Sequence, residues 1–270
     1  MNLRNNIGFS VLVVLPFLIV CIFIALLSTP LDWLFFGVRR HGRQGIVGPL
    51  ALKTKMAWCA STMRMLGIKV IVEGALGELK QKEGAVYVSN HQSIVDILVL
   101  MSILPPKTSF LAKKELKWIP FFGLGAEAVG TIFIDRARGT QNEALSYLGD
   151  LIQRGTSLIF FPEGTRSLDG KLLNLKRGAF VTAIQAKARV VPIVMLGTRE
   201  LCPKHSLGIG AGIVKVIIGS SIQTQGMAVE DRFELAQRAR QHMLNHLEES
   251  SARNSKLEKS DENRKNKGSA

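Results

Sequence analysis

The 270-residue sequence is poor in cysteine, in aromatic residues and in acidic residues. Its three cysteines, Cys21, Cys59 and Cys202, are far apart and odd in number, so they predict neither a disulfide framework nor a zinc site. Aromatic residues make up only 7% of the chain, which disfavours nucleic-acid binding through base stacking. Only 21 acidic residues oppose 35 basic ones, and the net charge of +14 indicates an anionic partner. Because 47% of the residues are hydrophobic, that partner is expected to be lipid rather than nucleic acid.

Charge is absent from one long segment near the N-terminus. Residues 7–27 form an apolar run of 21 residues, which as a helix would extend about 31 Å and could cross a hydrocarbon core of roughly 30 Å. A cleaved signal peptide is less favoured, because a second apolar stretch, Leu31 to Val38, follows at once. Pro16 and Pro30 leave two membrane geometries open, a single spanning helix or a re-entrant helical hairpin.

The segment after this run is basic. It has no acidic residue between Asp32 and Glu73 but contains seven basic ones, Arg39, Arg40, Arg43, Lys53, Lys55, Arg64 and Lys69. Positive charge beside a membrane segment marks the cytoplasmic side and attracts anionic headgroups by about 1 kcal/mol per charge. Helical spacing over residues 49–66 predicts a helix along that interface, so residues 1–66 are predicted to be a membrane anchor and a basic interfacial segment. A basic run that is only a solvated face is the alternative.

Residues 67–249 alternate short apolar runs with helical stretches, which predicts one α/β domain. Seven strands are predicted, at 68–73, 85–89, 108–112, 129–134, 157–161, 189–196 and 213–218. Helices are predicted at 93–104, 141–153, 177–186 and 229–248. Because most strands are continuously apolar, we expect a mixed, mostly parallel sheet covered by helices. Residues 250–270 lack an apolar period and predict a disordered tail.

A histidine and an aspartate stand where the second predicted strand gives way to a helix. Ligand sites gather at the carboxyl ends of strands in open α/β sheets. Asp96, in the first helical turn, can accept the Nδ1 proton of His91 and leave Nε2 as a general base. Asp96 could also form a capping box with Ser93, and both functions can hold together. A metal site is less favoured, because no second His or Cys stands at ligand spacing.

No protein nucleophile is expected beside this pair. Ser93 does not belong to a G-x-S-x-G elbow, and none of the three cysteines is near in sequence. A base at this position would therefore activate a hydroxyl group of the substrate.

A second polar constellation follows the strand that ends at Phe161. Glu163 and Arg166, three residues apart, are predicted to pair, Gly164 permits a sharp turn, and an arginine held in this way offers two donors to a phosphate. An ordinary surface turn is the alternative. Further cations end neighbouring elements and together indicate an anion site: Lys113, Lys114, Arg136, Lys176 and Arg177.

Four blocks, in this order, resemble those of the 1-acyl-sn-glycerol-3-phosphate acyltransferase family, also called lysophosphatidic acid acyltransferases. Residues 90–96 match its NHxxxxD block, and residues 130–136 match its second block. Residues 161–167 match FPEGTRS in full, and residues 191–193 resemble the fourth block. Each block alone is unspecific, but the ordered set, spread over residues 67–219, is highly specific.

The resemblance implies a reaction and a set of roles. It implies that His91 is the general base, that Asp96 orients it, and that the acceptor's phosphate is bound by Glu163, Gly164, Arg166, Lys113 and Arg136. It also implies acyl transfer from acyl-CoA or acyl carrier protein to the sn-2 hydroxyl of lysophosphatidic acid, which gives phosphatidic acid. No metal, cofactor or covalent acyl-enzyme is implied. Together with the basic flank, this predicts a cytoplasmic membrane protein whose catalytic domain faces the cytoplasm.

Two alternatives for the function stay open. Related acyltransferases with the same blocks act on other lysolipid acceptors, and a non-catalytic lipid-binding module would explain the charge and the apolar N-terminus equally well. Nucleic acid is not expected as a partner. The apolar segment 119–125 could border an acyl-chain groove or belong to an ordinary core.

Overall fold

The protein is described here from a computed structural model, which describes residues 49–119, 123, 126, 130–134, 141–204, 206 and 208–267. The predicted apolar anchor at residues 7–27 lies outside the described residues, as do Arg136 and most of the segment 119–125. In the described part of the chain, no helix combines the length and the apolarity needed to cross a membrane.

The described residues form seven strands: β1 Ile68–Gly74, β2 Val86–Ser89, β3 Thr108–Lys113, β4 Ile132–Ile134, β5 Ser157–Phe160, β6 Val190–Leu196 and β7 Gly212–Ile218. Their α-helices are α1 Pro49–Met65, α2 Val95–Ile103, α3 Gln141–Gln153, α4 Gly178–Gln185, α5 Thr198–Leu201 and α6 Arg232–Lys267. Short 3₁₀ helices cover Leu76–Lys80, Lys114–Trp118 and Val229–Asp231. The predicted strands are confirmed, with small differences at their ends.

The strands form one sheet in the order β1-β7-β6-β2-β5-β3-β4. All neighbours are parallel except β6 and β7, which are antiparallel. The prediction of a mixed, mostly parallel sheet is therefore confirmed. Strands β2, β3, β5 and β6 end at one edge, which we call the carboxyl edge, and β7 and β1 begin there.

The core lies on both faces of this sheet. Tyr87 belongs to the cluster that β2 forms with α1 and α2, whereas its neighbours Val86 and Val88 belong to the cluster formed with α3, α4 and α6. All three side chains are fully buried. A strand covered by helices on both faces has no polar face, which explains why the strands are continuously apolar in sequence.

Helix α1 was predicted to lie along a membrane interface, but one of its faces belongs to the domain. Cys59 and Met63 are buried with residues of α2 in the core cluster. Lys55 on the same helix is 2% exposed, and its Nζ donates hydrogen bonds of 3.0 Å to the carbonyl oxygens of Pro106 and Thr108. The helix therefore clamps the loop that leads into β3.

We expect Lys55 to make stability depend on pH. Burial lowers the pKa of Lys55 from 10.5 to about 8. Because the folded protein holds this proton less tightly than the unfolded chain, the free energy of unfolding should increase with pH between about 8 and 10.5. The shift corresponds to an increase of about 3 kcal/mol.

Urea denaturation in detergent at several pH values tests this expectation on a Lys55→Met variant. The wild type should gain about 3 kcal/mol over the variant between neutral pH and about pH 10.5. A Lys53→Met variant, altered on the exposed face of the same helix, controls for the loss of a lysine charge. A difference between wild type and Lys55→Met that does not change with pH would contradict the assignment.

The C-terminal region differs from the prediction. Helix α6 runs without a break from Arg232 to Lys267, where a disordered tail was predicted from residue 250. Residues 250–267 have no apolar stripe, but they also contain no proline or glycine, and Ala, Lys, Arg and Glu favour a helix. Extension of a helix that is already packed at its first half avoids the cost of a new nucleus.

Candidate active site

The loop after β2 is fixed to the neighbouring strand β6 by one buried amide. Asn90 Nδ2 donates to the carbonyl oxygen of Met195 at 2.9 Å, and Asn90 Oδ1 accepts from the Met195 N–H at 2.7 Å. The side chain thus continues the sheet's hydrogen bonding where the strand ends. It places the next residue, His91, at the carboxyl edge.

The structure brings His91 and Asp96 together as predicted. His91 Nδ1 lies 2.8 Å from Asp96 Oδ2, and the side chain of His91 is 16% exposed whereas that of Asp96 is fully buried. With Nδ1 directed at the carboxylate, Nε2 is the nitrogen left to take a proton from a substrate. This geometry is compatible with a general base and a carboxylate that orients it.

Asp96 also organises the start of helix α2. The same Oδ2 accepts the backbone N–H groups of Gln92 at 2.7 Å and Ser93 at 2.9 Å. The second of these is the carboxylate's half of a capping box. The start of the helix and the contact with His91 therefore share one oxygen atom, which is compatible with both functions considered for Asp96.

The side chain of Phe161 covers one face of the imidazole of His91. The two ring centroids are 4.0 Å apart and the planes differ by 18°. Phe110 supports Phe161 from behind, with ring centroids 6.3 Å apart. The imidazole is thus held by its Nδ1 atom and by one ring face. Sequence analysis placed Phe161 at the end of a strand and at the start of the FPEGTRS block, but it assigned no function to the side chain, because an apolar residue there has no signal beyond burial.

Glu163 connects two loops instead of pairing with Arg166. Its Oε1 accepts the backbone N–H of His91 at 2.7 Å, and its Oε2 accepts that of Leu173 at 2.8 Å. No ion pair joins Glu163 to Arg166, although the structure describes both residues, so the predicted pair is wrong. The buried carboxylate is occupied by backbone donors. Burial raises the pKa of Glu163, and the two backbone hydrogen bonds partly oppose this effect.

A further hydrogen bond joins the same two loops. The backbone N–H of Ser167 donates to the carbonyl oxygen of His91 at 2.9 Å. Gln92 Nε2 donates to the carbonyl oxygen of Gly170 at 3.2 Å. The loop of the NHxxxxD block and the loop of the FPEGTRS block therefore form one connected unit.

Two cations, Lys176 and Lys204, lie beside the turn at residues 164–166, and a third, Arg166, belongs to it. Gly164 has a φ of +73°, and a Cβ there would lie 2.5 Å from Lys176 Nζ, so the lysine lies directly over the turn. Lys204 Nζ donates to Arg166 O at 3.2 Å and Thr165 Oγ1 at 3.3 Å. Arg166 itself is half-buried. Sequence analysis missed Lys204, which is a lone lysine outside every block.

The two other predicted phosphate ligands are Lys113 and Arg136. Lys113 is the last residue of β3 at the carboxyl edge and its side chain is exposed. No contact joins it to His91 or Glu163 in the described part of the chain. Arg136 lies outside the described residues. Among the described side chains, no three His, Cys, Asp or Glu residues are grouped so that they could hold a metal ion.

Among the described residues, the hydroxyl of Ser93 and the thiol of Cys202 lie near the loop of His91, and neither is suited to act as a nucleophile. Ser93 Oγ donates to the carbonyl oxygen of Cys202 at 2.8 Å and accepts the Val95 N–H at 3.2 Å. Burial raises the pKa of the Cys202 thiol, which disfavours the reactive thiolate. The arrangement therefore supports a base that acts on an external hydroxyl.

Comparison with known proteins gives a consistent family. Residues 69–196 match the family model described as Acyltransferase. The chain is 37% identical over 184 residues to the 1-acyl-sn-glycerol-3-phosphate acyltransferase alpha of Homo sapiens, a match that covers 67% of this chain and 64% of that protein. It is 36% identical over 192 residues to the 1-acyl-sn-glycerol-3-phosphate acyltransferase of Saccharomyces cerevisiae, covering 68% and 62% of the two chains. The match thus spans somewhat less than two thirds of each relative.

A solved structure is similar over most of the chain. The crystal structure of the 1-acyl-sn-glycerophosphate (LPA) acyltransferase PlsC from Thermotoga maritima superposes with a TM-score of 0.67 at 26% identity, and covers 88% of this chain and 96% of that one. The similar sequences and the similar structure thus belong to the same kind of enzyme that the blocks at residues 90–96 and 161–167 resemble. Residues 69–196 thus match the acyltransferase family, and the predicted resemblance of the chain to the 1-acyl-sn-glycerol-3-phosphate acyltransferases is confirmed.

Proposed function

We propose that this protein is an enzyme that transfers a fatty acyl group from an acyl thioester to the sn-2 hydroxyl of 1-acyl-sn-glycerol 3-phosphate and so produces phosphatidic acid. The observation that carries the proposal is the contact between His91 and Asp96 beside a cationic turn. The hydrogen bond from the backbone N–H of His91 to Glu163 joins the two loops. The names of the relatives, 1-acyl-sn-glycerol-3-phosphate acyltransferases, support the same substrate.

In the proposed reaction, His91 Nε2 accepts the proton of the acceptor hydroxyl while its oxygen attacks the thioester carbonyl. The imidazolium that forms is stabilised by Asp96, whose carboxylate lies 2.8 Å from Nδ1. The tetrahedral intermediate then collapses, the carbon–sulfur bond breaks, and the departing thiolate takes the proton from His91. Because a thioester is already activated, positioning and one base suffice, and a positioned base contributes about 10²–10⁴-fold.

No covalent acyl-enzyme takes part in this proposal. Ser93 Oγ is engaged in two hydrogen bonds, and the thiol of Cys202 is buried. His91 is therefore proposed to act directly on the acceptor, without a metal or another cofactor.

The acceptor's phosphate is proposed to bind at the turn formed by residues 164–166. Arg166 and Lys176 supply positive charge there, and Lys204 supports the turn from behind. Lys113 and Arg136 remain in the proposed set as cations from neighbouring strand ends. Glu163 is proposed to act by joining the loops, because its own negative charge would repel a phosphate.

The donor and the membrane geometry are also proposals. Acyl-CoA and acyl carrier protein both present the required thioester. The apolar residues 7–27 are proposed to anchor the chain in the cytoplasmic membrane, as one span or as a hairpin, with the basic flank and the catalytic domain on the cytoplasmic side.

Product analysis tests the proposed function. Purified protein is incubated with lysophosphatidic acid and each donor in turn, and the products are identified by mass spectrometry. Phosphatidic acid is the expected product. A panel of other lysolipids with one acyl-CoA separates this reaction from the alternative, an acyltransferase for another lysolipid acceptor. Absence of acylated product with every acceptor would refute the proposed acyltransferase activity and favour a lipid-binding module.

We expect an Arg166→Ala variant to lose affinity for the acceptor. A hydrogen bond from a charged group contributes about 1.5–3 kcal/mol, so the KM for lysophosphatidic acid should rise by about 10–100-fold while kcat changes little. Initial rates at varied acceptor concentration measure the effect. An Arg199→Ala variant, which removes a nearby half-exposed guanidinium, is the matched control. An unchanged KM would remove Arg166 from the site.

A further inference from the structure

An arginine of the C-terminal helix holds the loop at residues 168–176, which follows the FPEGTRS block. Arg240 on α6 donates from Nη1 to the carbonyl oxygen of Leu173 at 2.6 Å and from Nη2 to that of Leu172 at 3.3 Å. The arginine is half-buried, and no carboxylate among the described residues forms an ion pair with it. Its positive charge is therefore directed at two backbone carbonyl groups of this loop.

A single peptide group connects Arg240 to Glu163. The carbonyl of Leu172 and the N–H of Leu173 belong to the same peptide group. Its oxygen accepts from Arg240, and its N–H donates to Glu163 Oε2 at 2.8 Å. Donation to the oxygen polarises the peptide group and strengthens its N–H as a donor. The guanidinium thus acts on the buried carboxylate of Glu163 through one peptide plane.

The same carboxylate continues the contacts to His91. Glu163 Oε1 accepts the backbone N–H of His91 at 2.7 Å, so both oxygen atoms of Glu163 are occupied by backbone donors. The place of the carboxylate depends on both of these bonds. A rotation of the peptide group at residues 172–173 would take its N–H away from Oε2 and allow Glu163 to move relative to His91.

Apolar packing between the loop and α6 does not determine this orientation. Leu172 is buried in the same core cluster as Leu235, Ala239 and Met243 of α6. Burial keeps the loop near the helix, but the hydrophobic effect has no direction. A planar guanidinium that donates hydrogen bonds in a fixed fork does have one. Arg240 therefore supplies the directional part of the contact.

We propose that Arg240 is a positioning residue for acyl transfer, which sets the orientation of the peptide group at residues 172–173 and, through Glu163, the place of His91. The inference rests on the proposed function. Arg240 lies outside the family match at residues 69–196 and outside the four blocks. It makes the C-terminal helix a part of the catalytic unit.

An Arg240→Met variant of the full-length protein in detergent tests this role, because it keeps an apolar stem and removes the donors. Arg238→Met, altered at an exposed position of the same helix, is the matched control. Hydrogen exchange at the amides of Leu173 and His91 should be about 10-fold faster in Arg240→Met and unchanged in the control. The kcat for acyl transfer should fall by about 10–100-fold with little change in KM, since a small displacement of the base is costly.

A Glu163→Gln background tests the route of the effect. If Arg240 acts through Glu163, adding Arg240→Met to Glu163→Gln should lower kcat far less than it does in the wild type. Two losses that multiply in the double variant would overturn the route.

Wild-type exchange at both amides in Arg240→Met, or a kcat equal to that of the control, would overturn the positioning role. If Arg240→Met does not fold, Arg240→Lys takes its place, because it keeps the charge but loses the planar fork. Its exchange and kcat should change in the same directions. A wild type that transfers no acyl group, together with faster exchange in the Arg240 variant, would overturn the proposed function alone.

Discussion

Replacing His91 by alanine should lower kcat for acyl transfer by about 10²–10⁴-fold, because the acceptor hydroxyl would have no base to take its proton. The fold should survive the change. The backbone N–H and carbonyl of His91 hold the two loops together through Glu163 and Ser167, and neither bond uses the imidazole. Formation of phosphatidic acid in single-turnover and steady-state assays measures the loss.

A His246→Ala variant is the control for this experiment. His246 is a half-buried histidine on helix α6 and is not part of the site. It should retain the wild-type rate and the wild-type binding to membranes. Comparable turnover in the His91→Ala variant would refute the proposed role of His91.

An Asp96→Asn variant should lose about 10²-fold or more in kcat with little change in KM for either substrate. The amide oxygen can still accept the backbone N–H groups of Gln92 and Ser93, so the start of helix α2 should persist. The imidazolium of His91, however, would lose the anion that lies 2.8 Å from Nδ1. Asp96 is fully buried and is therefore not expected to contact either substrate, which is why KM should stay constant.

Substitution of a surface carboxylate provides the comparison. Asp150→Asn on the exposed side of helix α3 removes the same charge without touching the site, and its kinetics should be those of the wild type. A rise in KM with an unchanged kcat in Asp96→Asn would mean that Asp96 acts in binding and not in orienting the base.

The sheet could be predicted from sequence because its physical cause is local. Strands buried on both faces, such as β2 and β6, are continuously apolar, and their lengths are set by the polar or glycine residues that end them. His91 and Asp96 could be predicted for a similar reason. They lie five residues apart on one turn, so their distance depends on few backbone angles.

The contacts that the sequence did not reveal join residues far apart in the chain. The bond between Glu163 and the His91 N–H spans 72 positions, and the bonds between Asn90 and Met195 span 105. The short motif suggested a salt bridge between Glu163 and Arg166. In the fold, the backbone N–H groups of His91 and Leu173 donate to Glu163 instead. Lys204 contacts the turn at Arg166, and Phe161 contacts His91, because their loops are neighbours in the fold. Which loops are neighbours depends on the order of the strands in the sheet, which the sequence does not show.

The bonds that Glu163 and Ser167 make to His91 have a consequence for regiochemistry. They hold the imidazole of His91 and the cationic turn at a constant separation. In the proposed reaction, a glycerolipid whose phosphate binds at the turn would present to His91 only the hydroxyl group that lies at the matching distance along its glycerol backbone. The positional selectivity of the reaction would then be a property of the sheet, in which β2 and β5 are neighbours, rather than of any residue that touches the glycerol.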